Sequence, residues 1–323
     1  MKILLTGVTG MQAKGSNKLG IFCCIDGIQK CLQEAGYDVE RREVKVGEDL
    51  DKYDKIITTI HSSSSISSVH YLRVMDLLWK RPDATCMVDD WQTRGIFKEF
   101  DNFVKEPSKL FREYNMKKFK DSDKVNKDAI LMKMASFQHK ILTPLLGIGN
   151  IAELGLPTNL VVRIDPSPYF DGYKFKHINS SDKVPSWVCA CLEDKSSWLK
   201  KQGFTWNVLE YENKNKGQPR VTEEELTQIY ANNWGIISPA HNVNKSGWFR
   251  VRFLLARDTE SILFCDKDEA KCYGDAYNIS IKEVEEGTDL DRYNIAEAQR
   301  NCLANLTWTK EKLLKEIENV INN

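Results

Sequence analysis

The segment Ala84-Thr85-Cys86-Met87-Val88-Asp89-Asp90-Trp91 places an acidic pair directly after a short apolar run. A run of this length and composition predicts a buried strand. In open α/β sheets, ligands bind beyond the carboxyl ends of the strands. A carboxyl group at a buried strand end, beside an aromatic side chain, can acquire the raised pKa that a general base needs. We therefore predict a catalytic role for at least one of Asp89 and Asp90, the alternative being a cap on the next turn.

The sequence around this strand alternates strands with helices. Lys2 to Leu5 is strand-like, and it is followed by a glycine-bearing loop and by a helix that Gly36 ends. Strands that alternate with helices imply a parallel sheet covered on both faces. In the first half we predict strands over residues 2–5, 38–44, 55–60, 85–88 and 160–164, and helices over residues 19–35, 69–79 and 130–142.

The second half repeats this layout without repeating the sequence. A proline-bearing, aromatic and polar stretch between residues 166 and 185 predicts a linker. A chain of 323 residues is long enough for two domains. After the linker we predict strands over residues 187–192, 205–211, 235–238 and 261–265, and helices over residues 196–202, 222–231, 248–256, 294–306 and 309–320.

Composition narrows the class of protein. The 46 basic and 46 acidic residues cancel, so no overall charge draws the chain to nucleic acid or to a membrane. No apolar run is long enough for a membrane span and no signal peptide is evident, so we expect a cytoplasmic protein without a membrane partner. Nine cysteines without the spacing of a disulfide framework predict reduced thiols in the core.

Three further polar segments near predicted secondary-structure ends are candidate binding sites. The first, residues 6–10, joins a strand to a helix as a phosphate-binding loop does. The second, residues 61–65, offers hydroxyl and amide donors directly after the third strand; a solvated linker is the alternative. The third, residues 245–252, opens a helix with cations that suit a diphosphate. These segments and the loop after the first strand hold the candidates Gly7, Thr9, Lys14, Ser62, Ser63, Lys245, Ser246, Arg250 and Arg252.

Two of these observations admit another interpretation. The loop at Gly7 and Gly10 begins like the glycine motif of short-chain dehydrogenases, although Ala13 stands where their third glycine falls. Tyr114 and Lys118 form a YxxxK pair, which is the proton relay of that family. A nicotinamide-dependent dehydrogenase or epimerase is therefore an alternative. Arg250 and Arg252 are two residues apart on a helix, so we expect only one of them to face a ligand.

Taken in order along the chain, these segments resemble the GT-B glycosyltransferases, and among them the phage DNA β-glucosyltransferases that modify 5-hydroxymethylcytosine. Tyr53-Asp54-Lys55-Ile56-Ile57 followed by serines resembles one family segment, and Val88-Asp89-Asp90 resembles the strand end that carries the base. Arg252 and Ile262-Leu263-Phe264-Cys265-Asp266 resemble the donor helix and the strand after it. The chain departs from the family at Leu255, where a donor-binding glutamate is expected.

The resemblance implies an α/β fold of the GT-B type, in which two Rossmann-like domains face each other across a cleft and a C-terminal helix crosses back. It implies an acceptor domain over residues 1–168, a nucleotide-sugar domain over residues 169–300 and a returning helix over residues 301–323, around Trp308. It assigns Asp90 as the base with Asp89 beside it. It assigns donor binding to Arg252, Arg250, Lys245, Ser246, Lys195 and Tyr211. It assigns acceptor or phosphate binding to Gly7, Thr9, Lys14, Ser62 and Ser63.

The implied reaction is inverting transfer of glucose, or of a related sugar such as arabinose, from a UDP-sugar. The implied acceptor is a 5-hydroxymethyl pyrimidine in double-stranded phage DNA, inside the host cell. The lysine-rich residues 98–133, with interspersed aromatic residues, are candidates for phosphate contact and base stacking, the alternative being a solvated charged face. A divalent ion, Mg²⁺ or Mn²⁺, is expected to assist the diphosphate, although no metal-ligand cluster is evident. We expect a monomer. A GT-B enzyme with a non-DNA acceptor and a non-catalytic DNA-binding protein are the alternatives.

Overall fold

A computed structural model of the chain describes residues 1–7, 19–45, 47–60, 77–78, 80–88, 139–143, 161–191, 194–211, 221–239 and 251–322. The chain forms two compact units. Unit 1 contains Met1–Tyr169 and Trp308–Asn323, and unit 2 contains Phe170–Thr307. The chain therefore leaves unit 1 once and returns to it with its last helix.

Unit 1 contains a six-stranded sheet whose neighbouring strands all run parallel. The strand order is β2-β1-β3-β4-β5-β6. Helix α1, Leu19–Glu34, connects β1 to β2. The strands are β1, Lys2–Gly7; β2, Asp38–Arg41; β3, Lys55–Ile60; β4, Thr85–Val88; β5, Ile141–Thr143; and β6, Val161–Arg163.

The first strand shows why the sheet lies inside the unit. Ile3 and Leu4 point to opposite faces, and both are fully buried, as expected for a parallel sheet covered on two sides. On α1, Gly27 allows the chain near Pro166 to approach closely. A Cβ atom at Gly27 would lie 2.7 Å from the Cβ of Pro166, so any larger residue would force the two segments apart.

The last helix of the chain, α8, Lys310–Asn322, packs in unit 1. Its buried face consists of Leu313, Ile317, Val320 and Ile321. At one end, Lys310 Nζ lies 3.1 Å from a carboxylate oxygen of Glu34 on α1. The hydroxyl of Tyr169 donates to the same carboxylate at 2.8 Å. The helix is thus held by apolar burial and by a polar cluster at its start.

Unit 2 contains a four-stranded parallel sheet in the order β10-β9-β7-β8. Its strands are β7, Val184–Ala190; β8, Val208–Tyr211; β9, Asn233–Ser238; and β10, Ile262–Cys265. Its helices are α2, Ser196–Gln202; α3, Glu223–Asn232; α4, Val251–Thr259; α5, Lys267–Tyr273; α6, Ile281–Glu286; and α7, Asp289–Leu306.

Most of the predicted elements that fall in the described residues are found, and the main differences concern β5, β8, α5, α6 and α7. Ile141 and Leu142 were predicted to end a helix, but they belong to β5, where backbone pairing with β4 and β6 outweighs helix propensity. Strand β8 begins at Val208 rather than at Thr205, because Glu285 accepts hydrogen bonds from the amides of Thr205 and Trp206. The short helices α5 and α6 were not predicted, and α7 begins at Asp289, five residues before its predicted start.

Two predictions from composition can be compared with the described residues. Cys31, Cys86, Cys189 and Cys191 are buried thiols, which confirms the prediction for these four. No helix in the described part of the chain combines the length and the apolar character needed to cross a membrane.

Candidate functional site

The strand order of unit 2 identifies where a ligand is expected to bind. From β7 the chain moves to β8 on one side of it and then to β9 on the other side. Such a reversal leaves a crevice between the carboxyl ends of the two strands at which it occurs. In unit 2 these ends are Ala190 of β7 and Ser238 of β9.

Arg252 lies at this reversal. It is the second residue of α4, the helix that precedes β10. One terminal nitrogen of its guanidinium donates a hydrogen bond to the backbone oxygen of Ala190. The start of α4 is thereby attached to the carboxyl end of β7. This contact places a permanent positive charge at the edge of the sheet. The guanidinium could donate several hydrogen bonds to a diphosphate bound there.

The charge of Arg252 is stabilised by its neighbours. Burial by itself would lower the pKa of Arg252, but attraction to Tyr230, Cys189, Cys191 and Glu269 raises it above its ordinary value. Burial also raises the pKa of the Cys189 thiol to about 12, against the opposing effect of Arg252. Cys189 is therefore a poor nucleophile.

Two other predicted donor-binding residues lie along the same edge of unit 2. Tyr211 ends β8, and its backbone oxygen accepts a hydrogen bond of 3.2 Å from the amide of Cys191. Lys195 precedes α2 in the loop after β7, and its charge acts on Cys189. The fold therefore gathers Arg252, Tyr211 and Lys195 near the carboxyl ends of β7 and β8.

Unit 1 has an equivalent reversal between β1 and β3. The predicted residue Gly7 is the last residue of β1 and pairs with Thr59 of β3. Thr6 and its partner Thr58 are buried, and neither Oγ1 atom has a hydrogen-bond partner among the residues that the structure describes. A small cavity opens beside these strands. It is lined by Leu5, Thr6, Ile25, Ile28, Ile57, Thr59 and Met87.

The remaining predicted site residues lie outside the described residues. For three groups of these residues, the order of the chain shows which strand or helix they follow or precede. Asp89 and Asp90 directly follow β4, Ser62 and Ser63 follow β3, and Arg250 directly precedes α4. The residues concerned are Thr9, Lys14, Ser62, Ser63, Asp89, Asp90, Lys245, Ser246 and Arg250.

Sequence reasoning missed two buried ionisable residues of unit 2, one on the helix after β10 and one at the end of α4 that is remote from Arg252. Glu269, in the first turn of α5, is 1% exposed. Its signal was the acidic segment after Cys265, of which only Asp266 was considered, as part of the resemblance to the strand after the donor helix. Lys183 is 5% exposed, and its ammonium donates to the backbone oxygens of Thr259 and Glu260 at the end of α4. Nothing in the sequence marks Lys183 as the cap of a distant helix.

The described part of the chain contains no set of side chains that could bind a resident metal ion. No three side chains of the types His, Cys, Asp and Glu come together there in a way that could hold one.

No protein-family model matches the sequence, and no curated protein matches it. Solved structures do match over the whole chain. T4 phage BGT in complex with its UDP-glucose substrate matches with a TM-score of 0.59 and 11% identity, covering 100% of both chains. The same enzyme with UDP and Mn²⁺ has a TM-score of 0.55, again at 11% identity with 100% of both chains covered.

Two other glycosyltransferases are similar. An α-glucosyltransferase in complex with UDP-glucose and DNA containing an abasic site has a TM-score of 0.51 and 11% identity, with 100% of each chain covered. The glycotransferase of kitacinnamycin has a TM-score of 0.50 and 6% identity, covering 99% of this chain and 98% of its own. Identities this low establish the fold alone. The chain therefore has the two-domain GT-B fold, which confirms the predicted fold class.

Proposed function

We propose that the protein is a glycosyltransferase that uses a UDP-sugar as donor. The observation that carries the proposal is the position of Arg252 in a GT-B fold. Its positive charge lies at the edge of the unit 2 sheet, at the place where the strand order reverses. It is supported by solved structures of the same fold that hold UDP-glucose or UDP. A cation at this place neutralises the charge that develops on a departing diphosphate.

The donor is assigned to unit 2. Arg252 contacts the diphosphate, and the loop before α4 contributes Lys245, Ser246 and Arg250. Lys195 and Tyr211 lie on the same edge and contact the rest of the donor. These groups act by fixed charge and hydrogen bonding, so they stabilise the leaving group without moving a proton.

Unit 1 supplies the base. The carboxylate of Asp90 takes the proton from a hydroxyl group of the acceptor, and the oxygen attacks the anomeric carbon of the sugar. The bond between that carbon and the phosphate oxygen breaks, and UDP leaves with the electron pair. A single displacement inverts the anomeric configuration. Asp89 positions Asp90 or the acceptor, and the loops with Gly7, Thr9, Lys14, Ser62 and Ser63 bind acceptor or phosphate groups.

The proposed acceptor is a 5-hydroxymethyl pyrimidine in double-stranded DNA, 5-hydroxymethylcytosine in the first place. Support comes from the β-glucosyltransferase neighbour, described as a DNA-modifying enzyme, and from α-glucosyltransferase structures that contain DNA. The hydroxymethylated nucleobase must leave the DNA stack, or be reached in a distorted duplex, before its hydroxyl group can contact a carboxylate. The lysine-rich residues 98–133 are proposed to contact the phosphates.

The sugar and the metal ion complete the proposal. Glucose is the first candidate, because UDP-glucose is the donor in the similar structures, and arabinose is the second. Mg²⁺ or Mn²⁺ is proposed to accompany the donor, since one T4 phage BGT structure holds UDP with Mn²⁺. The described residues do not offer a resident ligand set, so no step of the mechanism depends on the ion.

The test uses the full chain, radiolabelled UDP-glucose and two DNA duplexes of one sequence, with cytosine or with 5-hydroxymethylcytosine. Label is expected only in the hydroxymethylated duplex. Reactions with Mn²⁺, with Mg²⁺ and with a chelator measure metal dependence, and UDP-arabinose replaces UDP-glucose in a parallel series. Absence of hydroxymethyl-dependent label with every UDP-sugar would contradict the DNA proposal.

A GT-B enzyme with a small-molecule acceptor is the second candidate function. The similarity to the glycotransferase of kitacinnamycin supports it. Slow hydrolysis of UDP-glucose by the protein, without any transfer to DNA, would favour this candidate, because donor activation does not require the DNA acceptor. Arg252 keeps the same role in both candidates.

A further inference from the structure

The chain passes between the two units twice, and one buried carboxylate in unit 1 is attached to both passages. The outgoing passage follows Tyr169, and the returning passage precedes Trp308. Asp165 is 4% exposed. One of its carboxylate oxygens accepts a hydrogen bond of 3.0 Å from the amide of Ser167, and the other accepts one of 2.8 Å from the amide of Trp308. Asp165 therefore joins the outgoing segment to a residue 143 positions later in the chain.

The returning passage is as short as a chain connection can be. Helix α7 of unit 2 ends at Leu306, and the amide of its cap residue Thr307 donates to the backbone oxygen of Leu303 at 3.0 Å. The next amide is that of Trp308, which donates to Asp165 in unit 1. The end of a regular helix in unit 2 is therefore one peptide bond away from a residue that unit 1 holds.

The outgoing passage is also short. Tyr169 is held in unit 1, because its amide donates to the backbone oxygen of Pro166 at 3.0 Å and its hydroxyl donates to Glu34 at 2.8 Å. In unit 2 the chain is closely packed again at Gly172, where a Cβ atom would lie 3.1 Å from a carboxylate oxygen of Asp258. Gly172 also has a φ of +68°, which disfavours any other residue. Only two residues separate these attachments.

The indole ring of Trp308 adds to the attachment of the returning passage. The guanidinium of Arg163, at the end of β6, lies 5.6 Å from the centroid of this ring. The ammonium of Lys312, on α8, lies 4.5 Å from it. Both are cation–π contacts. Together with the hydrogen bond to Asp165, they hold Trp308 beside the segment that follows β6.

We propose that Asp165 is a positioning residue, whose carboxylate fixes the point at which both passages leave unit 1. The proposal rests on the proposed function, in which unit 2 binds the donor and Asp90 of unit 1 takes the proton. Transfer requires the reacting atoms to approach to about 3–3.5 Å, and a misplacement of about 1 Å lowers the rate strongly. Because both passages are short and share this attachment, loosening it disturbs the presentation of the donor to the base and leaves the donor site itself intact.

The test is Asp165→Asn in the full chain. An asparagine side chain has one accepting oxygen and a donating nitrogen, so it can serve the amide of Ser167 or that of Trp308, but not both. At saturating UDP-glucose and hydroxymethylated DNA, the variant is expected to lower kcat about 10- to 100-fold. Calorimetric titration with UDP is expected to give an affinity within about 2-fold of the wild type. Hydrogen exchange at the Trp308 amide is expected to become faster.

Asp49→Asn is the matched control. A carboxylate oxygen of Asp49 accepts a hydrogen bond of 2.9 Å from the amide of Asp51, two residues later, as Asp165 does from Ser167. Asparagine preserves a turn of this kind, so the control is expected to change neither kcat nor UDP affinity. If Asp165→Asn shows no cooperative unfolding transition, a Gly-Gly insertion between Thr307 and Trp308 replaces it. The insertion lengthens the returning passage directly and is expected to lower kcat at unchanged UDP affinity.

The outcomes separate this proposal from the proposed function. A wild-type protein that does not bind UDP, or that transfers sugar to no acceptor, overturns both. An active wild-type protein, together with an Asp165→Asn variant of equal kcat, overturns the positioning role alone. A parallel loss of kcat and UDP affinity in Asp165→Asn also overturns it, since the substitution would then damage the fold in general. Rates are compared per folded molecule, well below the unfolding transition, so that lost stability alone leaves kcat unchanged.

Discussion

The two sheets have the same kind of strand reversal but present different chemistry at it. In unit 1, the described residues beside the reversal are apolar or carry hydroxyl groups, such as Thr6 and Thr59. In unit 2, the corresponding edge carries Arg252, which donates a hydrogen bond to the carboxyl end of β7. Topology therefore determines where each unit can bind a ligand, while the side chains determine which ligand. A charged diphosphate suits the described edge of unit 2, and the hydroxyl group of an acceptor suits the described edge of unit 1.

The prediction with the largest expected effect concerns Asp90. It tests whether unit 1 contributes the proton acceptor but takes no part in donor binding. Asp90→Asn is expected to lower kcat about 10²- to 10⁴-fold, because removal of a general base has effects of that size. UDP binding is expected to stay unchanged. Single-turnover transfer and calorimetry measure the two quantities separately.

Asp89→Asn is the matched control for Asp90→Asn. It is expected to lower kcat less than Asp90→Asn does. If Asp89→Asn abolishes transfer while Asp90→Asn remains active, the base is the first residue after β4 rather than the second.

The next effect tests the charge at the unit 2 edge. Arg252→Ala is expected to weaken UDP binding about 100-fold, which corresponds to the loss of charge-assisted hydrogen bonds. Arg257→Ala, in the last turn of the same helix and paired with Asp258, is the control and should bind UDP normally. Equal affinity of Arg252→Ala and Arg257→Ala would remove the proposed difference between the two edges.

A smaller effect concerns the far end of the Arg252 helix. Burial lowers the pKa of Lys183, Glu260 opposes this shift and the nearby Arg300 adds to it, and together they bring the pKa to about 8. The unfolded chain keeps this proton up to the ordinary pKa of 10.5. Between these two pH values the unfolded state binds more protons, so the free energy of unfolding rises with pH.

The expected rise is about 2 kcal/mol, because hydrogen bonds from the ammonium to backbone oxygens offset part of the burial effect. Denaturant unfolding at a series of alkaline pH values measures it. Other groups titrate in the same range, so Lys183→Met is the reference. Identical slopes for the wild type and Lys183→Met would show that Lys183 does not titrate as described.

The smallest effect concerns the exposed ion pair that attaches α8 in unit 1. The Tyr169 hydroxyl and then Lys310 hold the pKa of Glu34 below its usual range. The stability that Glu34 contributes is therefore present above its ordinary pKa and is lost as the pH falls through the lowered value. Lys310→Met is expected to reduce this pH dependence slightly, whereas Lys315→Met on the same helix should not. Urea unfolding midpoints at neutral and acidic pH measure the difference.

Local patterns predicted most elements because their signals lie within a few neighbouring residues. The apolar runs at β1, β3, β4 and β10 were recognised from the chain alone, as was the capping box of α3. The start of α7 had a comparable signal, a capping box at Thr288 and Asp291, which was overlooked. The helix predicted over Ile141 failed for another reason. A short apolar run has no distinct period, so only its sheet partners decide its conformation.

The features of the candidate site also divide into those that local sequence predicts and those that depend on the tertiary structure. The sequence alone determined the α/β class and supplied the candidate residues at strand ends, Arg252 among them, because these follow from residue order and from the polarity of short segments. Only the tertiary structure decided that Arg252 contacts Ala190, 62 residues earlier in the chain. Only the tertiary structure also decided that Glu269 lies buried beside the Arg252 helix and that Lys183 caps its far end. These contacts join residues far apart in the chain, and local sequence preferences carry no information about which distant groups will share a buried space.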